Sequence, residues 1–168
     1  MARAARASTT AKGESSIGTS NTFDDIDRKI IESLQADGRR AYGAIAEEVG
    51  LSEAAVRRRV QRLRDSGAVQ IVAVTDPLQL GFNREAMLGV RVQGDVRRVA
   101  KEIAAIDEAV YVVLCAGSFD ILVELVVEND EHLVYVLNDQ IRAVDGVTEV
   151  ETFVYLNVAK QTYSWGTR

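Results

Sequence analysis

The sequence predicts an α+β protein of two modules, three short helices followed by strands and helices in the order β-α-β-β-α-β. Apolar residues recur at helical spacing between residues 24 and 65. From residue 84 onward, β-branched runs alternate with amphipathic stretches and are separated by glycines. Charge divides the chain in the same way, since residues 1–75 carry 12 Lys and Arg against 10 Asp and Glu, whereas residues 76–168 carry 8 against 15. We therefore expect the two halves to have different partners.

The composition is that of a globular protein, with 47% hydrophobic and 27% charged residues in a chain of 168. Cys115 is the only cysteine and His132 the only histidine, so an intramolecular disulfide is impossible and a zinc site is not expected. No apolar run reaches the roughly 18 residues of a membrane span. We expect a protein without cofactor, metal or membrane partner, working in a reducing cytoplasm. Residues 1–22 are predicted to be a disordered basic tail, although their composition also resembles a transit peptide.

The first two helices are predicted from their apolar stripes and their breaks. The first runs from about Asp24 to Ala36, and its acidic first turn complements the positive end of the helix dipole. A second, short helix runs from about Tyr42 to Val49 and is stopped by Gly50. The buried stripe of the first helix lies at i, i+4, i+5 and i+8, and consists of Ile26, Ile30, Ile31 and Leu34.

The third helix carries five arginines. It begins after Ser52, a good N-cap, runs to about Asp65, and ends before Gly67. At about 100° per residue, its buried and exposed sides can be separated. The buried side is defined by Val56, Val60 and Leu63, the opposite side by Ala54, Arg57, Arg58 and Gln61, one flank by Ala55 and Arg62, and the edges by Arg59 and Arg64.

A helix, a short turn through Gly-x-Ser and a basic helix form the layout of a helix-turn-helix, whose second helix enters the major groove of DNA. We therefore predict a three-helix or winged helix-turn-helix domain over residues 23–67. The alternative for an arginine-rich helix is a solvated charged face. The β-branched run Ala68–Thr75 predicts a strand, so residues 68–84 are interpreted as a connecting strand and hinge.

The second module is predicted to be a ferredoxin-like domain over residues 85–160, an antiparallel sheet with both helices on one face, followed by a C-terminal tail over 161–168. The segment 121–127 is largely apolar on both faces, although the helices can cover only one. Because such an exposed patch is unusual on a monomer, we expect a homodimer through this sheet, with an interface of about 1,600 Å² or more. The predicted strands are Ala86–Val92, Val110–Ala116, Phe119–Val127 and Val147–Val158, and the predicted helices are Val96–Ile106 and Asp130–Val144.

The sequence resembles the Lrp/AsnC family of prokaryotic transcription regulators, the feast/famine proteins. Phe23–Ile31 is similar to the family's opening pattern Leu-Asp-x-x-Asp-x-x-Ile-Leu, with Phe at the first position and Ile at the last. The resemblance implies a DNA-binding regulator whose ferredoxin-like domain, called RAM, dimerises and binds amino acids or related small molecules between subunits. It also implies association with the nucleoid, and octamers as a higher assembly. The other matching segments are Asp37–Arg39, Ile45–Ala46, Val49–Ser52, Val56–Val60, Leu63, Gly67–Val69, Gly117–Asp120, Asp145–Val147 and Thr152.

The candidate DNA-binding residues lie on or beside the exposed side of the third helix. Arg57 or Arg58 can bond bidentately to guanine and Gln61 to adenine, each pair contributing about 1–3 kcal/mol of discrimination. Ser52 and Arg62 are better placed to hold phosphates and set the register. The full candidate set is Ser52, Ala54, Arg57, Arg58, Gln61 and Arg62.

The candidate effector site is the loop between the second and third predicted strands. Its glycine exposes backbone N–H groups that can hold a carboxylate, and Asp120 can accept from an ammonium group. The alternative is a tight hairpin in which the aspartate only stabilises the turn. Cys115 and His132 are interpreted as packing and surface residues. The candidate effector residues are Ala116, Gly117, Ser118, Phe119 and Asp120.

The leading hypothesis is a sequence-specific transcriptional regulator that binds double-stranded DNA and responds to an amino acid or related small metabolite. One alternative is an architectural DNA-binding protein without a ligand. Another is a ferredoxin-like metabolite-binding enzyme, since this fold hosts many activities. No cluster of histidine, cysteine and carboxylate residues forms a plausible nucleophile–base pair, so no catalytic residue is expected.

Overall fold

A computed structural model describes residues 23–162 and 166–167 of the chain. The predicted basic tail, residues 1–22, lies outside this part. The described residues divide into two compact units. One comprises residues 23–73 together with 162 and 166–167, and the other comprises residues 74–161.

The first unit consists of three helices: α1 (Asp25–Ala36), α2 (Tyr42–Val49) and α3 (Glu53–Asp65). All three agree with the prediction to within one residue. Gly50 ends α2 in the left-handed region, with a φ of 70° that few other residues adopt. The buried hydrophobic residues of this unit come from all three helices and are Ile30, Leu34, Ile45, Ala46, Val56, Val60 and Leu63.

The strand predicted over Ala68–Thr75 is absent, so the domain is the three-helix form without a wing. The described residues from 69 to 76 form neither helix nor strand, and Ile71 and Val72 are 42% and 66% exposed. β-Branched residues favour extended backbone, but a strand also needs a neighbouring strand to pair its N–H and C=O groups. No described strand offers that pairing here. A short 3₁₀ turn, Pro77–Leu80, follows and ends at Gly81.

The second unit has the predicted order β1-α4-β2-β3-α5-β4. Its four strands form one antiparallel sheet in the order β2-β3-β1-β4. This is the ferredoxin-like topology, and the prediction of an α+β protein is confirmed. The strands are β1 (Arg84–Val92), β2 (Ala109–Leu114), β3 (Ile121–Val127) and β4 (Val147–Val154), and the helices are α4 (Val96–Ile103) and α5 (Asp130–Tyr135).

Some boundaries in this unit differ from the prediction. The predicted helix over 130–144 is α-helical only to Tyr135 and continues as wider π-helical turns over Val136–Ile141. The last strand ends at Val154, four residues early, because its only partner is β1. Tyr155 makes one further backbone bond to Glu85 at 2.9 Å, and the chain then passes the end of β1. Beyond this point Leu156 is 97% exposed.

The two faces of the sheet differ in what covers them, as expected for a sheet whose two helices can pack on only one face. One face packs with α4 and the segment 130–141, and its residues on β1 and β3 are fully buried. The other, which we call the open face, is not covered by either helix. It carries apolar side chains, of which Tyr111 and Phe153 are 53% and 44% exposed. Carboxylates share this face, namely Glu85, Glu124, Glu149 and Glu151.

Candidate nucleic-acid interface and ligand loop

The start of α3 is fixed by a side-chain cap. The Ser52 hydroxyl oxygen accepts from the backbone N–H of Ala55 at 3.3 Å. This confirms Ser52 as the N-cap, which satisfies one of the free N–H groups of the first turn. Because Val56, Val60 and Leu63 are buried, the helix presents its opposite side to solvent. That exposed side carries Ala54, Arg57, Arg58 and Gln61, as predicted.

Two of the predicted base-reading side chains have partners on α3 itself. Arg57 donates from Nη2 to Glu53 Oε1 at 2.7 Å, and its guanidinium lies 5.3 Å from the centre of the Tyr42 ring. Gln61 donates from Nε2 to Asp65 Oδ1 at 2.7 Å. Exposed pairs of this i, i+4 type contribute only about 0.3–0.5 kcal/mol. Another partner can therefore replace them at little cost.

Arg58 is different from its neighbours. Its side chain makes no hydrogen bond or ion pair with the described residues, and it lies in the middle of the exposed side. Among the five arginines of α3, only Arg64 shares this lack of a described partner. All five N–H donors of Arg58 are therefore available to an external acceptor.

The remaining two arginines of α3 converge on α1. Arg59 Nη1 lies 2.8 Å from Asp27 Oδ1 and 2.7 Å from Asp24 Oδ2, and Arg62 Nη2 donates to Asp27 Oδ2. The Asp27 side chain is only 1% exposed. The hydrogen bonds that Arg59 donates to Asp27 and to Asp24 raise the pKa of Arg59. Hydrogen bonds also lower the pKa of the Asp24 carboxyl. The largest effect comes from the backbone N–H of Asp27 and the next from Arg59.

This cluster adds two contacts to the sequence predictions. Asp27 lies in the acidic first turn of α1, as expected, and is also the buried ion-pair partner of two arginines. Arg62, which the sequence predicts to hold a phosphate, donates to Asp27 through one of its nitrogens. The sequence contains a usable signal, because Asp24 and Asp27 are three residues apart on one helix and Arg59 and Arg62 are three apart on another. Such spacing places each pair on one helix face.

A shallow recess of about 370 Å³ opens beside this cluster. Its basic wall consists of three guanidinium groups from α3, while its apolar wall comes from α3 and the preceding turn. The lining residues are Leu51, Ala55, Arg58, Arg59 and Arg62.

The candidate effector loop joins β2 to β3 and is held at both ends. Asp120 Oδ2 accepts from the backbone N–H of Val92 at 2.8 Å, and the Asp120 N–H donates to Val90 O at 3.0 Å. The backbone N–H of Cys115 donates to Asp120 O at 2.9 Å. The side chain of Asp120 thus ties the loop to the end of β1, while its backbone carbonyl closes the loop by accepting from Cys115. Its second carboxylate oxygen has no partner among the residues described.

Phe119 leaves the loop and lies on the open face of the sheet. Its ring is so close to Gly89 that an added Cβ there would lie 2.6 Å from ring carbons. The ring also packs edge-to-face on Phe153, with centroids 6.4 Å apart, and Arg91 lies 5.6 Å from its centre. The sequence prediction placed Phe119 with the effector loop and missed this contact. A glycine in the middle of a central strand was the available signal, because it often marks a close approach.

A tyrosine–carboxylate group lies further along the same face. The Tyr155 hydroxyl donates to Glu124 Oε1 at 2.9 Å, and burial together with Glu124 raises the pKa of Tyr155 to about 12. Burial also raises the pKa of Glu85, with additional repulsion from Glu124 and Asp76. The open face therefore contains one carboxylate, Glu85, whose charged form is disfavoured by burial, as well as apolar side chains.

The side chains of the single cysteine and the single histidine each make one polar contact with the described residues. Cys115 is exposed, with its Sγ 3.1 Å from Phe119 O, and His132 Nε2 lies 3.1 Å from Glu108 Oε1. Within the described ranges, no group of three or more His, Cys, Asp and Glu residues is arranged to hold a metal ion. None of the helices in that part of the chain is long and apolar enough to cross a bilayer.

Comparison with known protein families matches both units. The AsnC-type helix-turn-helix domain matches residues 23–64, and the Lrp/AsnC ligand binding domain matches residues 85–165. HTH-type transcriptional regulator FL11 of Pyrococcus furiosus is 36% identical over 142 residues, which cover 83% of this chain and 93% of that protein. The chain belongs to the Lrp/AsnC family. The resemblance recognised in the sequence is confirmed.

Solved structures of Lrp/AsnC proteins have the same fold. E. coli AsnC aligns with a TM-score of 0.75 at 22% identity, covering 86% of this chain and 99% of its own. A transcriptional regulator of Neisseria meningitidis, solved as a complex with L-Met, aligns with a TM-score of 0.75 at 26% identity. That alignment covers 86% of this chain and 96% of the other. This Lrp/AsnC protein is thus a transcriptional regulator with a DNA-binding helix-turn-helix domain and a ligand-binding domain.

Proposed function

We propose that this Lrp/AsnC protein is a homodimer that reads DNA sequence with α3 and responds to an amino acid or related metabolite bound at the loop 116–120. The observation that carries the proposal is the exposed position of Arg58 and its lack of a described partner. Arg58 lies on the exposed side of a helix whose other side is fully buried, and all its donors are free of described partners. A guanidinium with free donors on the exposed side of a recognition helix is suited to bidentate contact with guanine.

The other residues of α3 divide into base readers and phosphate binders. Arg57 and Gln61 can each exchange an exposed partner on α3 for a base edge, at a cost of about 0.5 kcal/mol or less. Ala54 is suited to apolar contact with a thymine methyl group. The Ser52 oxygen accepts the cap bond, so its O–H can still donate to a phosphate. Arg62 holds a phosphate while it remains bonded to Asp27.

The effector is an amino acid or a close derivative, bound by the loop between β2 and β3. Backbone N–H groups at Ala116, Gly117 and Ser118 take its carboxylate, and the second oxygen of Asp120 takes its ammonium group. Support comes from the Asp120 geometry, which leaves that oxygen without a described partner. The Neisseria relative with bound L-Met also favours this ligand class.

Two chains associate through the open face of the sheet. An apolar surface that includes exposed Tyr111 and Phe153 is typical of an interface, and pairing two such faces buries it. The dimer presents two α3 helices to successive major grooves about 34 Å apart, and octamers extend the bound DNA. The effector acts by binding one assembly more tightly than another. We place this activity in the cytoplasm, on the nucleoid.

We propose no enzymatic role for the protein. The relatives that it matches are transcriptional regulators. Among the described residues, the only hydrogen-bond partner of the side chain of its single histidine is Glu108. A regulator that acts by binding needs no histidine paired with a nucleophilic side chain.

The proposal is tested by measuring DNA affinity against salt concentration. We expect log K to fall steeply with log salt, by about 0.9 for each phosphate neutralised. Arg58→Ala should weaken binding to a selected specific duplex by about 10- to 100-fold and affect a random duplex less. The control is Arg97→Ala, which removes an exposed arginine of the second unit that has no described side-chain partner.

Three outcomes would contradict parts of this proposal. A flat salt response would exclude DNA binding as the function. Equal loss on specific and random duplexes would make Arg58 a phosphate ligand. Binding without any sequence preference would indicate an architectural protein instead of a regulator.

A further inference from the structure

We infer that Asp27 is a positioning residue of the DNA-binding surface. It holds Arg59 and Arg62 so that the recess beside Arg58 seats one phosphate of the DNA backbone. The inference rests on the proposed DNA binding and adds to it a defined phosphate site with its supporting residue.

The first argument is the burial of Asp27. Its carboxylate is 1% exposed, and each of its two oxygens accepts from a different arginine of α3. A buried carboxylate is costly unless it is paired, and charge-assisted bonds of this kind are among the stronger ones in proteins. Asp27 therefore restricts both guanidinium groups to one arrangement relative to α1.

The second argument is that this restriction leaves donors free. Each guanidinium has five N–H donors, and the described contacts of Arg59 and Arg62 use only Nη1 and Nη2, respectively. The Arg62 side chain is still 58% exposed. Arg58 borders the same recess and adds positive charge there, while its own donors stay available to a base. Arginine donors arranged in this way match the oxygens of a phosphate.

The third argument is the charge and shape of the recess. Three arginines face two carboxylates, Asp24 and Asp27, which leaves one net positive charge. A backbone phosphodiester carries one negative charge. Leu51 and Ala55 supply an apolar wall beside the cations, which suits the sugar adjoining a phosphate.

The position of the recess favours phosphate over a base. Arg59 lies at the edge of the buried stripe and Arg62 on the flank, whereas the base-reading side is centred on Arg58. Contacts to phosphates fix the register of a recognition helix on the duplex. An arginine that is already held by Asp27 also loses less rotamer freedom on binding than a mobile one.

The test compares variants of the full chain on two duplexes of about 30 base pairs, one selected by the protein from a random pool and one of random sequence. Asp27→Asn keeps the shape and removes the charge. Asp25→Asn is the matched control, because Asp25 is an exposed acid in the same helical turn with no described partner. We expect Asp27→Asn to lower the ratio of specific to random affinity by about fivefold or more, since freed arginines bind any DNA. Asp25→Asn should leave this ratio unchanged.

A second variant tests the phosphate contact itself. Arg62→Gln should reduce the slope of log K against log salt by about 0.9. Between 50 and 200 mM salt, the variant should therefore lose about 3.5-fold less affinity than wild type does. Arg97→Gln, the control for loss of one positive charge, should leave the slope unchanged. A thermal melt of each variant reports whether it is folded. If Asp27→Asn fails to fold, Arg62→Gln still decides whether the recess holds a phosphate, on which the role of Asp27 depends.

Several results would overturn the inference. Equal effects of Asp27→Asn and Asp25→Asn would mean that only net charge matters. An unchanged salt slope in Arg62→Gln would remove the phosphate contact. Stabilisation of wild type by millimolar inorganic phosphate, lost in Arg62→Gln without any change in DNA binding, would assign the recess to a free anion. If wild type binds no DNA, the proposed function fails as well, whereas normal binding by every variant contradicts the phosphate site and the role of Asp27 but leaves the proposed function standing.

Discussion

The exposed side of α3 and the open face of the sheet are both candidate binding surfaces, but they are prepared for binding in different ways. On α3 the exposed polar groups either lack a described partner, as Arg58 does, or have weak, exposed partners that DNA can replace, as Arg57 has in Glu53. The sheet presents exposed apolar side chains such as Tyr111 and Phe153, and burial disfavours the charged form of one of its carboxylates, Glu85. If the proposed function is right, the first surface gains specificity through exchange of hydrogen bonds, and the second gains affinity through removal of apolar area from water.

The largest expected effect concerns the sheet. Phe153→Asp places a charge on the open face, and we expect the dimer to dissociate about 100-fold more readily or more, because a buried unpaired charge is costly. Analytical ultracentrifugation over a range of concentrations measures this shift. Leu156→Asp is the control, since Leu156 is 97% exposed and lies beyond the end of β4. Dimers of normal affinity in Phe153→Asp would place the interface elsewhere.

The next effect concerns the ligand loop. Asp120→Asn keeps an oxygen that can accept from Val92 N–H, so the loop should keep its attachment to β1. It removes the charge that pairs with an ammonium group, and we expect amino-acid affinity to fall about 10-fold. Isothermal titration with the amino acids that raise the melting temperature measures the change. Asp107→Asn, an exposed acid of the same unit, is the control. Unchanged affinity would limit Asp120 to a structural role.

A smaller effect is expected at the contact between the loop and the sheet. Gly89→Ala places a Cβ against the Phe119 ring, and we expect a loss of about 1–2 kcal/mol of folding stability from overpacking. Removal of the ring in the double variant Gly89→Ala/Phe119→Ala should recover part of that loss. Urea denaturation of both single variants and the double variant measures the coupling. Additive effects would show that the two residues do not interact.

The smallest effect is electrostatic. Burial raises the pKa of Glu85 above its ordinary 4.5, so ionised Glu85 disfavours the folded state at neutral pH. We expect Glu85→Gln to raise the melting temperature slightly, by about 2 °C or less. The difference should be complete well above the folded-state pKa and fade as the pH falls below 4.5, until the wild-type side chain is protonated in both states. A difference that persists at about pH 3 would have another cause.

The sequence was sufficient to predict the features that neighbouring residues in the chain determine. The bounds of α2 and α3 follow from Gly50, Ser52 and Gly67, and the exposed side of α3 follows from the spacing of Val56, Val60 and Leu63. The sequence was insufficient to predict features that depend on contact with residues far along the chain.

Three cases show this limit. The predicted strand over Ala68–Thr75 has strand composition but lacks a neighbouring strand to pair with. The position of Phe119 depends on a gap above Gly89, which no periodic pattern reveals. The buried pair of Asp27 with Arg62 depends on how α1 and α3 pack together. These contacts are set by tertiary packing, so local patterns do not predict them.

The central claim is that α3 reads DNA and that the dimer supplies the spacing of two readers. Selection of wild-type binding sites from a pool of random duplexes tests it most directly. We predict enrichment of an inverted repeat whose half-sites lie about 10 base pairs apart, with one position in each half-site relaxed by Arg58→Ala. A pool that yields no enriched sequence, or only a single half-site unaffected by Arg58→Ala, would contradict the claim.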